Sequence, residues 1–193
     1  MNWITDHKIP LGEWMEAFVD WLVGNASGFF DAIAISLEWL ILGMTGVLQF
    51  FPPLAFTAMV AAIAWWLHRS WGLVIFSVVA LLVIANLGYW VEMIETLVLV
   101  LMATFLSIVI GIPIGIVAAH HPRFHAGIRP IMDLMQTIPT FVYLIPTLIL
   151  FGLGVVPGLI STIIFAIAAP IRLTALGISS VPEELLEAGK AFG

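Results

Sequence analysis

The sequence contains no cysteine and few charged side chains. None of its 193 residues is Cys, and only 9% are Asp, Glu, Lys or Arg. The lack of thiols excludes disulfides and thiolate metal sites. No GxxxxGK[ST] phosphate loop occurs, so we expect no nucleotide hydrolysis on this chain and predict that it is not an enzyme. The start, MNWITDHKIPLGEW, lacks the basic segment and apolar core of a signal peptide, and we expect no cleavage there.

Apolar residues dominate instead. They make up 62% of the chain, against roughly 45–50% in a typical soluble domain, and the mean hydropathy is +1.16. The apolar runs last roughly 18–25 residues, which suits transmembrane helices, whereas barrel strands alternate over about ten. We therefore predict an all-α integral membrane protein with five transmembrane helices that follow an amphipathic helix. The predicted spans are 50–67, 71–89, 94–119, 131–151 and 155–178.

Basic residues indicate the orientation of these spans. Arginines occupy alternate connections, at positions 69, 123 and 129, and Lys190 follows the last span on the same side. Glu92 and Glu95 lie in an opposite connection. Because basic loops face the cytoplasm, we predict that segments 68–70, 120–129 and 179–193 are cytoplasmic and that the amino terminus is outside.

Residues 13–49 have the pattern of an amphipathic helix. Eight polar side chains fall within an arc of about 60° on a helical wheel, and three tryptophans lie about 100° further round. The polar set, here called the polar stripe, is Glu13, Glu16, Asp20, Ser27, Asp31, Glu38, Thr45 and Gln49. We predict a helix along the outer membrane surface, broken near Gly24 and Gly28. The alternative is that residues 29–51 form a sixth span, with Asp31 and Glu38 facing other helices.

Prolines interrupt the last three predicted spans. They are Pro113, Pro139, Pro146 and Pro170. A proline inside a helix costs about 3 kcal/mol or more, and non-helical backbone at membrane depth survives only where protein or a water-filled cavity satisfies it. Broken helices in transporters surround the substrate route, so we predict that these spans pack together around a moving pathway, with Pro113 and Pro170 as hinges. The alternative is that prolines are simply common in membrane helices.

The stretch MQTIPTFVYLIPTLILFG, residues 135–152, carries two of these prolines together with polar and aromatic side chains. Its candidate pathway or gate residues are Gln136, Pro139, Thr140, Phe141, Tyr143 and Pro146. Polar groups here, including Thr137, can pair with carbonyls that Pro139 leaves free. Phe141 and Tyr143 can offer ring faces to a cation. Alternatively, these aromatic side chains only fill a helix interface.

Two further groups of polar residues are candidate sites. Arg172 lies near the cytoplasmic end of the last span, and we expect it to reach the membrane boundary or to pair with Asp133. His120, His121 and His125 share one connection, but no carboxylate or cysteine accompanies them and no HExxH pattern occurs. We therefore predict no metal site.

The segment after residue 178, SSVPEELLEAGKAFG, predicts a short amphipathic helix. Leu185, Ala188 and Phe192 share one face, and the glutamates share another. Such a helix can lie in a groove of a partner protein. The alternative is a solvated turn with a membrane-facing stripe.

The end of this segment, EAGKAFG, resembles the opening of the EAA loop of bacterial ABC importer permeases. Glu187, Ala188 and Gly193 match that motif, and Gly189 replaces its second alanine. The stretch MQTIPTFVYLIP and the sequence from LFGLGVVPG onward are similar to the branch that imports quaternary ammonium osmolytes such as glycine betaine, proline betaine and choline. This likeness covers about residues 90–193. The chain stops within the motif, before two further spans that the family has.

The resemblance implies a type I ABC importer permease-like core in a bacterial inner membrane, incomplete at its carboxyl end. It implies a permease homodimer, an external substrate-binding protein, and cytoplasmic ATPase subunits that hold ATP and Mg²⁺. The surroundings are the lipid bilayer, with no nucleic acid and no cofactor on this chain. ATPase coupling would fall to Glu187, Ala188, Gly189, Gly193, Leu185 and Phe192, and would drive alternating access.

On this view the chain has four parts. They are an acidic amphipathic segment (1–49), two peripheral spans (50–89), the first three helices of the permease core (90–178) and the start of the coupling helix (179–193). The alternative function is an ion-coupled secondary carrier or channel. A carrier needs coupling charges near mid-membrane, whereas Arg172 and Asp133 both lie near the membrane boundary.

Overall fold

A computed structural model of the protein describes residues 10–192. Within that range it has nine helices and no strand, so the all-α class is confirmed. The helices are α1 (Leu11–Gln49), α2 (Pro53–His68), α3 (Trp71–Asn86), α4 (Trp90–His120), α5 (Pro122–Thr137), α6 (Thr140–Phe151), α7 (Val155–Ala166), α8 (Ala168–Ser179) and α9 (Glu183–Phe192).

Three stretches of the described chain are long and apolar enough to cross a membrane. They are Gly12–Gln49, Trp90–His120 and Val155–Ser179, the last of which joins α7 to α8. Helices α5 and α6 qualify only as one span bent by 98°. Helices α2 and α3 are apolar but have 16 residues each, or about 24 Å, against a hydrocarbon core of about 30 Å. The described residues thus contain three or four candidate spans, and the five predicted crossings remain a prediction.

The predicted connection at 120–129 is wrong, because helix α5 already begins at Pro122. A proline in the first helical turn does no harm, since its missing N–H would have no partner there anyway. The predicted single span 131–151 is divided between α5 and α6. Ile138 has the extended conformation (φ −77°, ψ 128°) that a following proline imposes, and this ends α5.

Helix α1 is one continuous helix of 39 residues, so the predicted break near Gly24 and Gly28 is wrong. A glycine costs only about 1 kcal/mol inside a helix, and no proline lies between residues 11 and 49. Seven members of the polar stripe are exposed, but Thr45 is buried with Ile41 against the rest of the protein.

The last three predicted spans pack on one another, as expected. Helix α4 packs along α8 and α7, α6 packs on α7, and α5 touches both α7 and α8. Helices α2 and α3 pack on each other, and α3 has no buried residue. The main core joins α1, α2, α4 and α7 through Ile41, Phe56, Ile94, Val98, Met102, Ala103, Val156 and Leu159. A smaller cluster, Met132, Ile167, Ala168 and Ile171, joins α5 to the α7–α8 junction.

Candidate functional site

The bend between α5 and α6 is the main irregularity of the predicted pathway. Pro139 follows the extended Ile138 and precedes the first residue of α6. Just before the bend, the Leu134 carbonyl accepts hydrogen bonds from the Ile138 N–H at 3.0 Å, the Thr137 hydroxyl at 3.2 Å and the Tyr143 hydroxyl at 3.1 Å. The Leu134 carbonyl thus has a backbone partner besides the two hydroxyls, and the pairing of polar groups with carbonyls that Pro139 leaves free stays a prediction. Tyr143 lies in α6, beyond the bend, so its hydrogen bond connects α6 to the end of α5.

The other candidate pathway residues lie on the surface of the bend. Gln136, Thr140 and Pro146 are exposed, and Phe141 is 78% exposed. The Phe141 ring therefore has a face free for a ligand. Its contact with a cation stays a prediction.

A buried polar contact between α6 and α7 was missed in the sequence. The Thr147 hydroxyl lies 3.0 Å from the Ser161 hydroxyl, and Ser161 donates to the Pro157 carbonyl at 2.7 Å. Both side chains are 4% exposed. Hydroxyl pairs of this kind contribute to the association of membrane helices. Thr147 directly follows Pro146, which α6 accommodates without a break, so the predicted interruption at Pro146 is wrong.

Helix α8 lies unusually close to α4 at two glycines. A Cβ atom at Gly111 would lie 2.8 Å from Cγ of Pro170, and one at Gly115 would lie 2.7 Å from Cβ of Thr174. Only glycine allows this approach, which is the geometry of the GxxxG motif in membrane helices. The motif appears in the sequence as GIPIG. The spacing of its two glycines is the signal from which a close helix contact could have been predicted. Pro113, between the two glycines, is exposed.

The two predicted hinge prolines behave differently. Pro113 does not interrupt α4, which is helical from Trp90 to His120, so the predicted interruption there is wrong. The helix is retained because proline is tolerated where neighbouring helices and local adjustment satisfy the freed backbone. Near Pro170 the boundary between α7 and α8 is at Ile167, but Ile167 keeps helical dihedral angles (φ −62°, ψ −26°) and its N–H donates to the Ile163 carbonyl at 2.9 Å. The predicted interruption there is therefore only a local disturbance of one continuous span. Pro170 has no N–H for the carbonyl of Ala166, and its ring crowds that carbonyl, so the hydrogen-bond pattern is disturbed beside it without ending the span.

One ion pair connects α8 to α5. Nη2 of Arg172 lies 2.6 Å from Oδ1 of Asp133, and the two side chains are 39% and 56% exposed. The predicted pairing is confirmed. Because both groups are partly solvated, the pair contributes little to stability, typically about 0–1 kcal/mol.

Helix α9 confirms the predicted helix after residue 178. Leu185 is 64% exposed and Phe192 is 93% exposed, and Glu187, Ala188 and Gly189 are exposed too. Gly193 lies outside the described residues. The apolar face of α9 is therefore uncovered in this chain, as expected of a helix that docks on a partner, and the coupling role stays a prediction.

The three histidines near the start of α5 do not form a cluster with carboxylates that could hold a metal ion. Nδ1 of His120 lies 2.8 Å from the Ile116 carbonyl oxygen. Over residues 10–192 no group of three or more His, Asp or Glu side chains is placed to hold a metal ion.

Comparison with known proteins places these features in a family. The profile of the family described as "Binding-protein-dependent transport system inner membrane component" matches residues 111–193. This segment contains the glycine contacts, the bend, the ion pair and α9.

Three relatives are similar over nearly the whole chain. The glycine betaine transport system permease protein OpuAB of Bacillus subtilis is 45% identical over 96% of the chain. The glycine betaine/carnitine transport permease protein GbuB of Listeria monocytogenes is 40% identical over 96% of it. The glycine betaine/proline betaine transport system permease protein ProW of Escherichia coli is 41% identical over 97% of it. The chain spans 66%, 66% and 53% of the lengths of these relatives.

These identities confirm the resemblance that EAGKAFG and the proline-containing spans indicated. The chain therefore belongs to the family of binding-protein-dependent transport system inner membrane components and is a multi-pass membrane protein.

Proposed function

We propose that this chain is the permease subunit of an ATP-driven importer for glycine betaine, choline and related quaternary ammonium compounds. The observation that carries the proposal is the 40–45% identity, over at least 96% of the chain, to permeases named for glycine betaine transport. ATP and Mg²⁺ would be held by a separate ATPase, because the sequence has no phosphate loop of its own.

The contacts around α8 support a mechanical role for α9. Helix α9 follows α8 after only three residues. Helix α8 in turn is packed against α4 at Gly111 and Gly115 and paired with α5 through Arg172 and Asp133. A force that an ATPase applied to α9 would therefore reach α8 first, and then α4 and α5.

Such a displacement would act on helices that contain prolines. The chain is non-helical at Ile138 and Pro139, where rotation breaks few backbone hydrogen bonds, and Pro113 and Pro170 each lack the N–H that would complete one helical hydrogen bond. We propose that the bend between α5 and α6 faces the pathway and that the residues near Pro113 and Pro170 act as hinges. Import would occur as this pathway opens alternately to the two sides of the membrane.

The proposed complex contains two permease copies, two cytoplasmic ATPase subunits and an external binding protein. This arrangement rests on the family, since binding-protein dependence is part of its description. The binding protein would make the first selection among quaternary amines, and an aromatic cage is the usual device for that cation.

Uptake by the complete permease, reconstituted with its ATPase and binding protein, tests the proposal. We expect labelled glycine betaine to enter proteoliposomes only with ATP. Replacement Glu187→Ala should abolish this uptake, whereas Glu184→Gln, on the same exposed helix but outside EAGKAFG, should leave it intact. Failure of the ATPase to copurify, or full uptake by the Glu187→Ala variant, would contradict the coupling role.

We also propose that α1 lies along the outer surface and that α2 and α3 complete five crossings. Two observations support this orientation. A helix of 39 residues is about 58 Å long, nearly twice the hydrocarbon core. Asp31 and Glu38 are exposed, although the alternative, a spanning helix, needs them to face other helices, because a carboxylate in lipid is costly.

The cysteine-free sequence allows a direct test of this orientation. An introduced cysteine is the only thiol in the chain. We expect Glu38→Cys to react with a membrane-impermeant maleimide in intact spheroplasts, and Ser70→Cys to react only after lysis. If Glu38→Cys stayed unlabelled even after lysis, α1 would cross the bilayer.

A further inference from the structure

A groove between α3 and α4 has no role in the proposed transport mechanism. Its volume is about 530 Å³, and its walls include Ile84 from α3, Tyr89 from the connection, and Glu92, Met93, Leu97 and Val100 from α4. None of these residues belongs to the bend, the glycine contacts or α9. The groove therefore needs an explanation of its own.

The groove exists because α3 and α4 barely touch. Helix α3 packs mainly on α2 and has no buried residue. The chain reverses at Gly88, whose left-handed conformation (φ 82°) is readily adopted only by glycine. Backbone bonds from the N–H of Gly88 to Ala85 and from the N–H of Tyr89 to Ile84, at 3.2 and 3.1 Å, close the end of α3 as in a Schellman cap. This turn places Tyr89 at the same end of the groove as Glu92.

The walls of the groove are polar at one end only. Glu92 is exposed and Tyr89 is 60% exposed, and within residues 10–192 the Glu92 carboxylate has no ion-pair partner. The Thr96 hydroxyl also lines the groove, but it donates to the Glu92 carbonyl at 2.7 Å and so is already paired. The remaining side chains on the walls are apolar.

The apolar part has the depth of one membrane leaflet. Glu92 and Val100 are eight residues apart on α4, or about 12 Å, and half of a hydrocarbon core measures about 15 Å. An acyl chain can therefore lie along Ile84, Leu97 and Val100 while its head group reaches Tyr89 and Glu92.

We propose that this groove binds a phospholipid whose head group carries an ammonium, such as phosphatidylethanolamine. A carboxylate attracts that cation, and a tyrosine ring face adds a cation–π contact. An anionic lipid without an amine would bring its charge next to Glu92 and bind less well. A free solute would fill only the polar end of the groove and leave the apolar walls uncovered, so the lipid explains the whole lining.

Lipid retention by the complete permease tests this site. The protein is reconstituted in nanodiscs made of equal parts phosphatidylethanolamine and phosphatidylglycerol with identical acyl chains, and lipids retained after release are counted by native mass spectrometry. We expect an excess of bound phosphatidylethanolamine. Glu92→Gln should reduce that excess about two- to fivefold, as expected for one solvent-accessible charge pair.

The matched control is Glu95→Gln. Glu95 is also exposed near the start of α4 but is not part of the groove wall, so its variant should keep the full excess. Leu97→Trp, which fills the apolar part, should remove the retained lipid.

Three results would overturn the proposal. They are equal retention of the two lipids by the unaltered protein, the same retention in the Glu92→Gln and Glu95→Gln variants, and displacement of the lipid by added choline. The third result would assign the polar end to a free quaternary ammonium solute. Because the readout is bound lipid rather than uptake, a failure of the import function would leave this test unaffected.

Discussion

Replacement of Gly115 by alanine should push α4 and α8 apart. The added Cβ would lie 2.7 Å from Cβ of Thr174 and 2.8 Å from the Ile171 carbonyl oxygen, whereas ordinary contacts are 3.4–4 Å. Neither neighbour is the flexible end of a long side chain. One is held by a branched Cβ and the other is backbone, so the helices themselves must move.

Two effects of opposite sign determine how Gly115→Ala changes the free energy of unfolding. Overpacking costs about 1–3 kcal/mol, and alanine gains up to about 1 kcal/mol over glycine inside a helix. Gly177→Ala in α8 isolates the second effect, because nothing lies within 4 Å of a Cβ placed there. The two variants should therefore differ in free energy of unfolding by about 1–3 kcal/mol, with Gly115→Ala the less stable.

Thermal unfolding in detergent, followed by the fluorescence of the eight tryptophans, measures this difference. For a chain of this size 1 kcal/mol corresponds to about 2–4 °C, so the midpoints should lie about 2–12 °C apart. Gly111→Ala should be less stable than the control too, since its Cβ would meet Cγ of Pro170 at 2.8 Å. Equal midpoints for Gly115→Ala and Gly177→Ala would refute the close packing of α4 and α8.

Three smaller predictions concern the polar contacts between the helices. Asp133→Asn and Arg172→Gln should each lower the free energy of unfolding by less than about 1 kcal/mol. A double-mutant cycle should give a coupling energy that added salt weakens. A coupling energy insensitive to salt would contradict the exposure of the pair. Tyr143→Phe should cost about 0.5–1.5 kcal/mol in thermal unfolding by removing the bond to Leu134, and an unchanged midpoint would mean that the bend does not depend on it. Thr147→Val and Ser161→Ala should each cost roughly 0.6–1.7 kcal/mol, and the double variant should cost less than the sum of the two; strict additivity would argue against their contact.

The sequence predicted the class, the position of the main break and the ion pair. Long apolar runs leave few alternatives to membrane helices, and Pro139 disfavours the helical conformation at Ile138, the residue before it. Arg172 and Asp133 were the only charges near the inner ends of their spans. Each of these inferences depends on one residue or on local composition.

Helix α5 and the two interhelical contacts were missed for a common reason. The segment from Pro122 to Pro130 is polar and contains two prolines, which resembles a loop, yet the helix forms when α5 packs on α7 and α8. The glycine spacing of GIPIG was visible, but nothing local identified its partner. Thr147 and Ser161 are 14 residues apart in the chain, and only the packing of α6 on α7 brings them together.

By itself, the sequence determined that this protein is an all-helical membrane protein and that its backbone breaks before Pro139, because hydropathy and the conformational restriction by proline act within a turn or two. Its EAGKAFG segment also indicated the family. Tertiary structure decided which faces meet: the glycines of α4 against α8, the hydroxyls of α6 against α7, and the separation of α3 from α4. Those choices depend on how whole helices fill space against one another, and no short stretch of sequence contains that information.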